Sequence, residues 1–374
     1  MLWRWMLDQG LHIQFAHRTF KWTNEAPGRA AVHCVIVGFG TDGGRTRRLF
    51  DYPKVDEAPQ ETRVVNINPY LVDAPDAVLP SRKSPLFATA PLIAFGSMPN
   101  DGQNLLLNDD EKQALLQAEP QAAPWVKPFL GADEFINGIS RWCLWLKGCS
   151  PADLRSMPLV AARVSATKAY REASVRAATQ KLAAYPTLFG EDRQPAVGFV
   201  LVPRHSSERR TFVPMGFFGA DVICGDANLC VVNASLFDFG ILSSTMHNAW
   251  VRYTCGRLKS DFRYSAGIVY NNFPWPLQRD AARDTAIATA AQLVLDARAA
   301  HAGASMAVLY DRGLMPPNLV KAHRELDRAV DAAYLAKLPA ALKSKPKLDS
   351  DARRVAFLFV MYQQLSSIAE PTTA

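Results

Sequence analysis

The sequence predicts a mixed α/β chain: a β-hairpin with its sheet, then an α+β middle, then a helical C-terminal region. Three observations predict it. LHIQFAHRTFKW and AAVHCVIVGF, at residues 11–22 and 30–39, carry alternating or continuous apolar patterns of strand type. AVGFVLVPR, RTFVPMGFF, DVICGD and NLCVVN then crowd β-branched and aromatic residues into 196–233. Towards the end, 281–300, 318–336 and 350–368 repeat their apolar residues with the helical period.

Each element follows from local chemistry. MLWRWMLDQ reads as the tail of a helix stopped by Gly10. NEAPGR, residues 24–29, turns the first strand into the second. Residues 41–63 are polar and loop-like, and 69–107 are rich in Pro, Gly and Asn, as a linker is. A helical pattern covers 109–130, opened by Asp109, Asp110 and Glu111 at the end where the helix dipole favours acids. ISRWCLWLKG is a strand bounded by glycines, a long helix is predicted over 157–184, and another over 237–258. Two strands and a helix end bury too little to stand alone, so residues 1–65 are expected to belong to a larger domain.

With 374 residues, 49% of them hydrophobic, the chain can fill two or three cores. No run approaches the roughly 18–20 apolar residues of a membrane helix, and the N-terminus lacks the pattern of a signal peptide. A cytoplasmic protein with its six scattered cysteines reduced is the expectation. The net charge is +7, and it is unevenly placed. Residues 1–140 hold 13 Lys+Arg against 16 Asp+Glu, residues 141–280 hold 17 against 10, and 281–374 hold 12 against 9. A basic middle suggests a polyanion, with nucleic acid the first candidate, although a solvated basic surface has the same composition.

Four stretches bear on chemistry. Gly38-Phe39-Gly40-Thr41-Asp42-Gly43 fits the G-x-G-x-x-G spacing after a strand, but GRTRRLFDYPKV follows without a helical period, and a dinucleotide needs the helix N-terminus. A loop is predicted instead. Arg204, His205, Ser206, Ser207, Arg209 and Arg210 lie between two strands, a short basic connection with hydroxyls suited to phosphates and base edges or simply to solvent. Arg252, Arg257, Lys259 and Arg263 alternate with Trp250, Tyr253, Phe262 and Tyr264. Such a mixture suits a surface that pairs with phosphate and stacks on bases, and equally a core helix with its cations in water. The helix predicted over 161–183 carries Arg163, Lys168, Arg171, Arg176 and Lys181, which do not share one stripe. The seven histidines form no metal-binding spacing, so no metal is expected.

Together these segments resemble the C-terminal part of the MmeI-like DNA methyltransferases, the single-chain type IIG restriction-modification enzymes. FAHRTFKWTNEAPGRAAVHCVIVGF is similar to the last hairpin of the family's Rossmann-like methyltransferase sheet, and NINPYLVDAPDAVLPSR to the segment leaving it. RVSATKAYREAS, LVPRHSSERRTFVP, HNAWVRYTCGRLKSDFRYS and YNNFPWP resemble its target recognition domain, and ASMAVLYDRGLMPPNLVKAHRELDRAVDAAY its helical C-terminal domain. The resemblance implies a methyltransferase segment at 1–65, a linker at 66–80, a recognition domain at 81–276 and a helical domain at 277–374. It implies double-stranded DNA as partner, adenine-N6 as the target and S-adenosylmethionine as cofactor of the complete enzyme, with DNA contacts from the ten residues 204–207, 209, 210, 252, 257, 259 and 263. Asn68-Pro69-Tyr70 is one proline short of the family's catalytic Asn-Pro-Pro-Tyr and falls in the exit segment. Losing a proline displaces the carbonyl that would accept from a flipped adenine, so these residues are not expected to be catalytic. With that loop and the donor-binding glycine loop missing from the 374 residues, no catalytic residue and no cofactor site is assigned to this chain. The expectation is a recognition portion working with a catalytic half in cis or in trans. The alternative is a stand-alone DNA-binding remnant.

Overall fold

The computed structural model describes residues 2–23, 31–42, 46–52 and 57–369. They form two compact units, each made of separate chain stretches: Met1–Ala90, Ser244–Asp284 and Asp327–Ala374 in the first, Pro91–Ser243 and Thr285–Leu326 in the second.

The first unit opens with helix α1 (Leu2–Asp8), ended by Gly10 in the left-handed region (φ 72°). Strands β1 (His12–Thr23) and β2 (Ala31–Gly40) pair antiparallel, as their alternation predicts; the NEAPGR turn lies outside the described residues. The predicted loop at 41–63 is corrected: β3 (Arg47–Asp51) runs parallel to β1, and β4 (Gln60–Val64) is antiparallel to β3. The order β2-β1-β3-β4 buries Ile13, Ala16, Leu49, Val64 and Ile67 on one face. Only alternate residues of β3 are buried, Arg47 and Leu49, so its apolar signal was too short to stand out among polar neighbours. Gly38 is a packing glycine. A Cβ there would sit 2.1 Å from the Phe15 ring, and the next element after the glycines is a strand, not a helix; Gly43 lies outside the described residues.

The second unit holds two four-stranded sheets. The chain enters through β5 (Ile93–Phe95) and β6 (Leu106–Leu107), then helix α2 (Asp109–Ala118). Asn108 and Glu111 form a capping box that starts α2, and Pro120 and Pro124 stop it in a 3-10 turn over Pro120–Trp125. Residues 126–130, predicted helical, are instead strand β7 (Val126–Leu130). After α3 (Ala132–Asn137) come β8 (Trp142–Leu144), α4 (Pro151–Arg155), α5 (Pro158–Glu172) and α6 (Ala177–Lys181). The single helix predicted over 157–184 is thus broken at 173–176. Arg171 is the reason: its side chain is fully buried, and its five N–H donors reach the carbonyls of Pro99, Asn100, Leu182, Tyr185 and Leu188 at 2.8–3.1 Å. A buried guanidinium must be satisfied, so the chain folds back around it.

Strands β9 (Phe199–Pro203), β10 (His205–Ser206), β11 (Gly216–Phe218), β12 (Ile223–Cys224) and β13 (Asn228–Val232) complete the unit's strands. The sheets run β11-β9-β13-β5 and β12-β7-β8-β6. Every residue of β9 is buried, which fits its unbroken FVLVP run.

The helix predicted over 237–258 is two helices and half a hairpin. α7 (Leu236–Ser243) ends where Ser244 caps α8 (Thr245–Thr254), and β14 (Gly256–Leu258) then pairs with β15 (Asp261–Arg263). Four helices follow, α9 (Ala281–Ala299), α10 (Met306–Leu309), α11 (Pro317–Tyr334) and α12 (Asp351–Ala369); the periodicity predicts three of them, and the short α10 is an addition. Within the first unit, α8 packs on α12 through Trp250 and Phe359, whose rings are 5.1 Å apart. Asn272 of the NNFPWP stretch donates to the carbonyls of Pro80, Gly267 and Ile268 and accepts from Arg82, clamping the exit segment 80–82 beside a π-turn over Ala266–Tyr270. Among the described residues, no helix is long and apolar enough to cross a membrane, and no cluster of three metal-ligating side chains occurs.

Candidate nucleic-acid interface

In the first unit, α8 and the β14–β15 hairpin carry Arg252, Arg257, Lys259 and Arg263. The aromatics between them prove to be core. Trp250, Phe262 and Tyr264 are 0%, 5% and 2% exposed, so of the two readings the sequence left open, a stacking platform is excluded for these three rings. Trp250 donates from Nε1 to the Val269 carbonyl at 3.0 Å, and Tyr264 meets His247 Nε2 at 2.9 Å. Burial drives the His247 pKa down to about 3, so this imidazole stays neutral.

The cations stay outside that core. Arg252 pairs with Asp351 at 2.7 Å. Arg257 lies 4.3 Å over the Phe262 ring and donates to the carbonyls of Ser260 and Arg252. Both face a cleft of about 400 Å³ that Arg18, Asp51, Tyr70, Leu71 and Tyr253 also line. Arg18, from β1, lies 5.4 Å over Tyr253 and pairs with Asp51 at 2.6 Å. Three guanidinium groups against two carboxylates, Asp51 and the Asp351 that pairs with Arg252, leave the cleft with one excess positive charge, a setting that favours an anion. Burial raises the Tyr253 pKa, keeping its phenol a donor. Arg18 escaped sequence reasoning because it sits inside a strand of the N-terminal hairpin, far in sequence from the basic middle. Only the folding of β1 beside α8 reveals it.

In the second unit, residues 204–215 connect β9 to β11. Arg204 is held inside, 5.0 Å over Phe95, with Nη1 donating to the Asp226 carbonyl. His205 is half-buried and Ser206 is buried, whereas Glu208 and Arg209 are exposed. The turn is tied by Arg210 N to the Ser207 carbonyl and Arg209 N to Ser207 Oγ. It is pinned to 310–312 by Thr211 N donating to Tyr310 O, Arg312 N to Arg209 O, and the bridge between Arg210 and Asp311. Arg209 is therefore the arginine of this group presented on a fixed turn. The sequence placed all three alike; the structure separates them.

Asn68 is wholly buried, with Oδ1 accepting from the backbone N–H of Tyr70 (3.0 Å) and Val72 (3.2 Å). The Tyr70 hydroxyl accepts from Leu79 N, and its ring packs on Phe359. The amide oxygen that would receive an adenine amine is thus spent on a turn.

Family models match the "MmeI, target recognition domain" over residues 73–277, the "MmeI, C-terminal domain" over 279–369 and the "MmeI, DNA-methyltransferase domain" over 1–51. The chain belongs to the MmeI family. It is 38% identical over 366 residues to DNA methyltransferase A of Bacillus subtilis (strain 168), covering 98% of this chain and 40% of that one. It also matches the type IIL restriction-modification enzyme MmeI, solved in complex with DNA, at 42% identity and a TM-score of 0.86, over 98% of this chain and 47% of that one. The chain spans less than half the length of both relatives.

Proposed function

We propose that this chain is the sequence-specific DNA recognition portion of an adenine-N6-specific DNA methyltransferase of a restriction-modification system, and that it does not methylate by itself. The observation that supports the reading most is the match of 98% of this chain, at 42% identity, to an enzyme solved in complex with DNA, with the target recognition domain model covering residues 73–277. On this reading residues 1–65 close the methyltransferase sheet, 66–80 lead out of it, 81–276 read the duplex and 277–374 brace the reader. Of Arg204, His205, Ser206, Ser207, Arg209 and Arg210, the exposed Arg209 would reach base edges, with the inward-held Arg204 and the buried Ser206 supporting the turn that presents it. Arg252, Arg257, Lys259 and Arg263 would contact phosphates. S-adenosylmethionine and the adenine-binding Asn-Pro-Pro-Tyr would come from a catalytic half, in cis or in trans. The packing of Phe15 against Gly38, and the strand rather than helix that comes next, support placing the donor-binding loop in that half.

The test is selection of duplexes from a randomised library by the full chain, followed by co-expression with a catalytic half and a methylation assay. Enrichment of one site, with methylation only in the paired expression, is the expected result. A chain that retains no duplex, or methylates alone, overturns the proposal.

A further inference from the structure

We propose that the β14–β15 hairpin is a wedge whose Leu258 enters the base stack of duplex DNA while Lys259 and Arg263 hold the neighbouring phosphates; this rests on the DNA-recognition reading above. Register pairs Gly256 with Arg263, Arg257 with Phe262 and Leu258 with Asp261, which leaves Lys259 and Ser260 as a two-residue turn. All three residues of β14 are exposed, and Leu258 is 59% exposed at the tip. Single exposed leucines are common. This one is set apart by its surroundings. The hairpin that carries it holds three cations, Arg257, Lys259 and Arg263, against one acid, Asp261, so the tip is attractive to phosphate.

The tip is also braced. Phe262 is buried beneath the hairpin, and Arg257 stacks on it while donating to the Ser260 carbonyl across the turn. Lys259 occupies the left-handed region (φ 56°), where such turns favour Gly or Asn. A lysine there puts a basic residue next to the leucine in the chain at the cost of backbone strain, a combination found where strain serves a contact. An apolar side chain on a rigid, basic finger has the composition that unstacks a base step.

The experiment measures binding of the full chain to two duplexes, one fully paired and one with a single abasic site, by fluorescence anisotropy. A wedge must separate bases in the paired duplex but not at the abasic site. Wild type is therefore expected to prefer the abasic duplex by about tenfold. Leu258→Ala should bring that ratio close to one, Leu258→Met should keep it, and Lys259→Gly should weaken both duplexes alike. An unchanged ratio in Leu258→Ala, or no abasic preference in wild type, overturns the wedge while leaving DNA recognition standing. Failure of wild type to bind either duplex overturns both.

Discussion

Arg171 is fully buried and Arg209 is exposed on a turn, and their environments assign opposite consequences to losing the same charge. Replacing Arg171 with Met strands five carbonyls that now accept from the guanidinium. Urea unfolding should show a loss of at least about 3 kcal/mol, because buried acceptors without donors carry their full desolvation cost. Arg209→Ala should leave stability within about 0.5 kcal/mol. On the proposed reading it should cost about 1–3 kcal/mol on one preferred duplex and relax discrimination there. Arg257→Ala should instead weaken all duplexes alike and reduce the salt slope by about one. If Arg209→Ala leaves the selected sequence unchanged, base reading moves elsewhere in 81–276.

At the scale of elements, half-buried carboxylates on α11 make helix packing depend on pH. Asp327 accepts from the N–H and hydroxyl of Thr245 at the start of α8, where the helix dipole favours an anion. One turn on, Asp331 meets Arg354 of α12 in a bidentate contact at 2.8–3.1 Å. Burial nevertheless pushes the Asp331 pKa up to about 7, Arg354 offsetting only part of that and Asp327 adding to it. A carboxyl whose folded pKa lies above its unfolded value near 3.8 favours the fold while protonated. The contribution is complete below about pH 4 and lost as pH rises through 7. Thermal unfolding should therefore show a Tm component falling between pH 4 and 7, and Asp331→Asn should flatten it. A profile of wild-type steepness in the variant would assign the slope to other groups.

For the whole molecule, recognition is divided from chemistry on the proposed reading. Calorimetric titration of the full chain with S-adenosylmethionine is expected to give no heat, because Phe15 occupies the space beside Gly38 and no helix follows to receive a charged donor. A micromolar dissociation constant would place a donor site within this chain and remove the need for a catalytic half. Edge strand β2 bears Val32, Val35 and Phe39, each more than half exposed, a surface that invites further strand or domain packing.

What the sequence by itself determined is the class of each long element and the basic middle, because periodicity and charge are local sums. The strands at 12–23 and 31–40 and the helices at 281–299, 317–334 and 351–369 were all legible in this way. Short elements were not. β3 and β4 owe their existence to pairing with β1 and with each other, β7 to a neighbouring strand, and the break after Arg171 to carbonyls up to 72 positions away. The candidate contacts divide in the same manner. Arginine-rich stretches are visible as composition, but which arginine is spent internally depends on what packs against it: Arg204 on Phe95, Arg252 on Asp351, Arg18 over Tyr253. Only the tertiary structure could decide those pairings, since a guanidinium is satisfied by whichever acceptors folding brings within about 3 Å, and sequence distance carries no information about them.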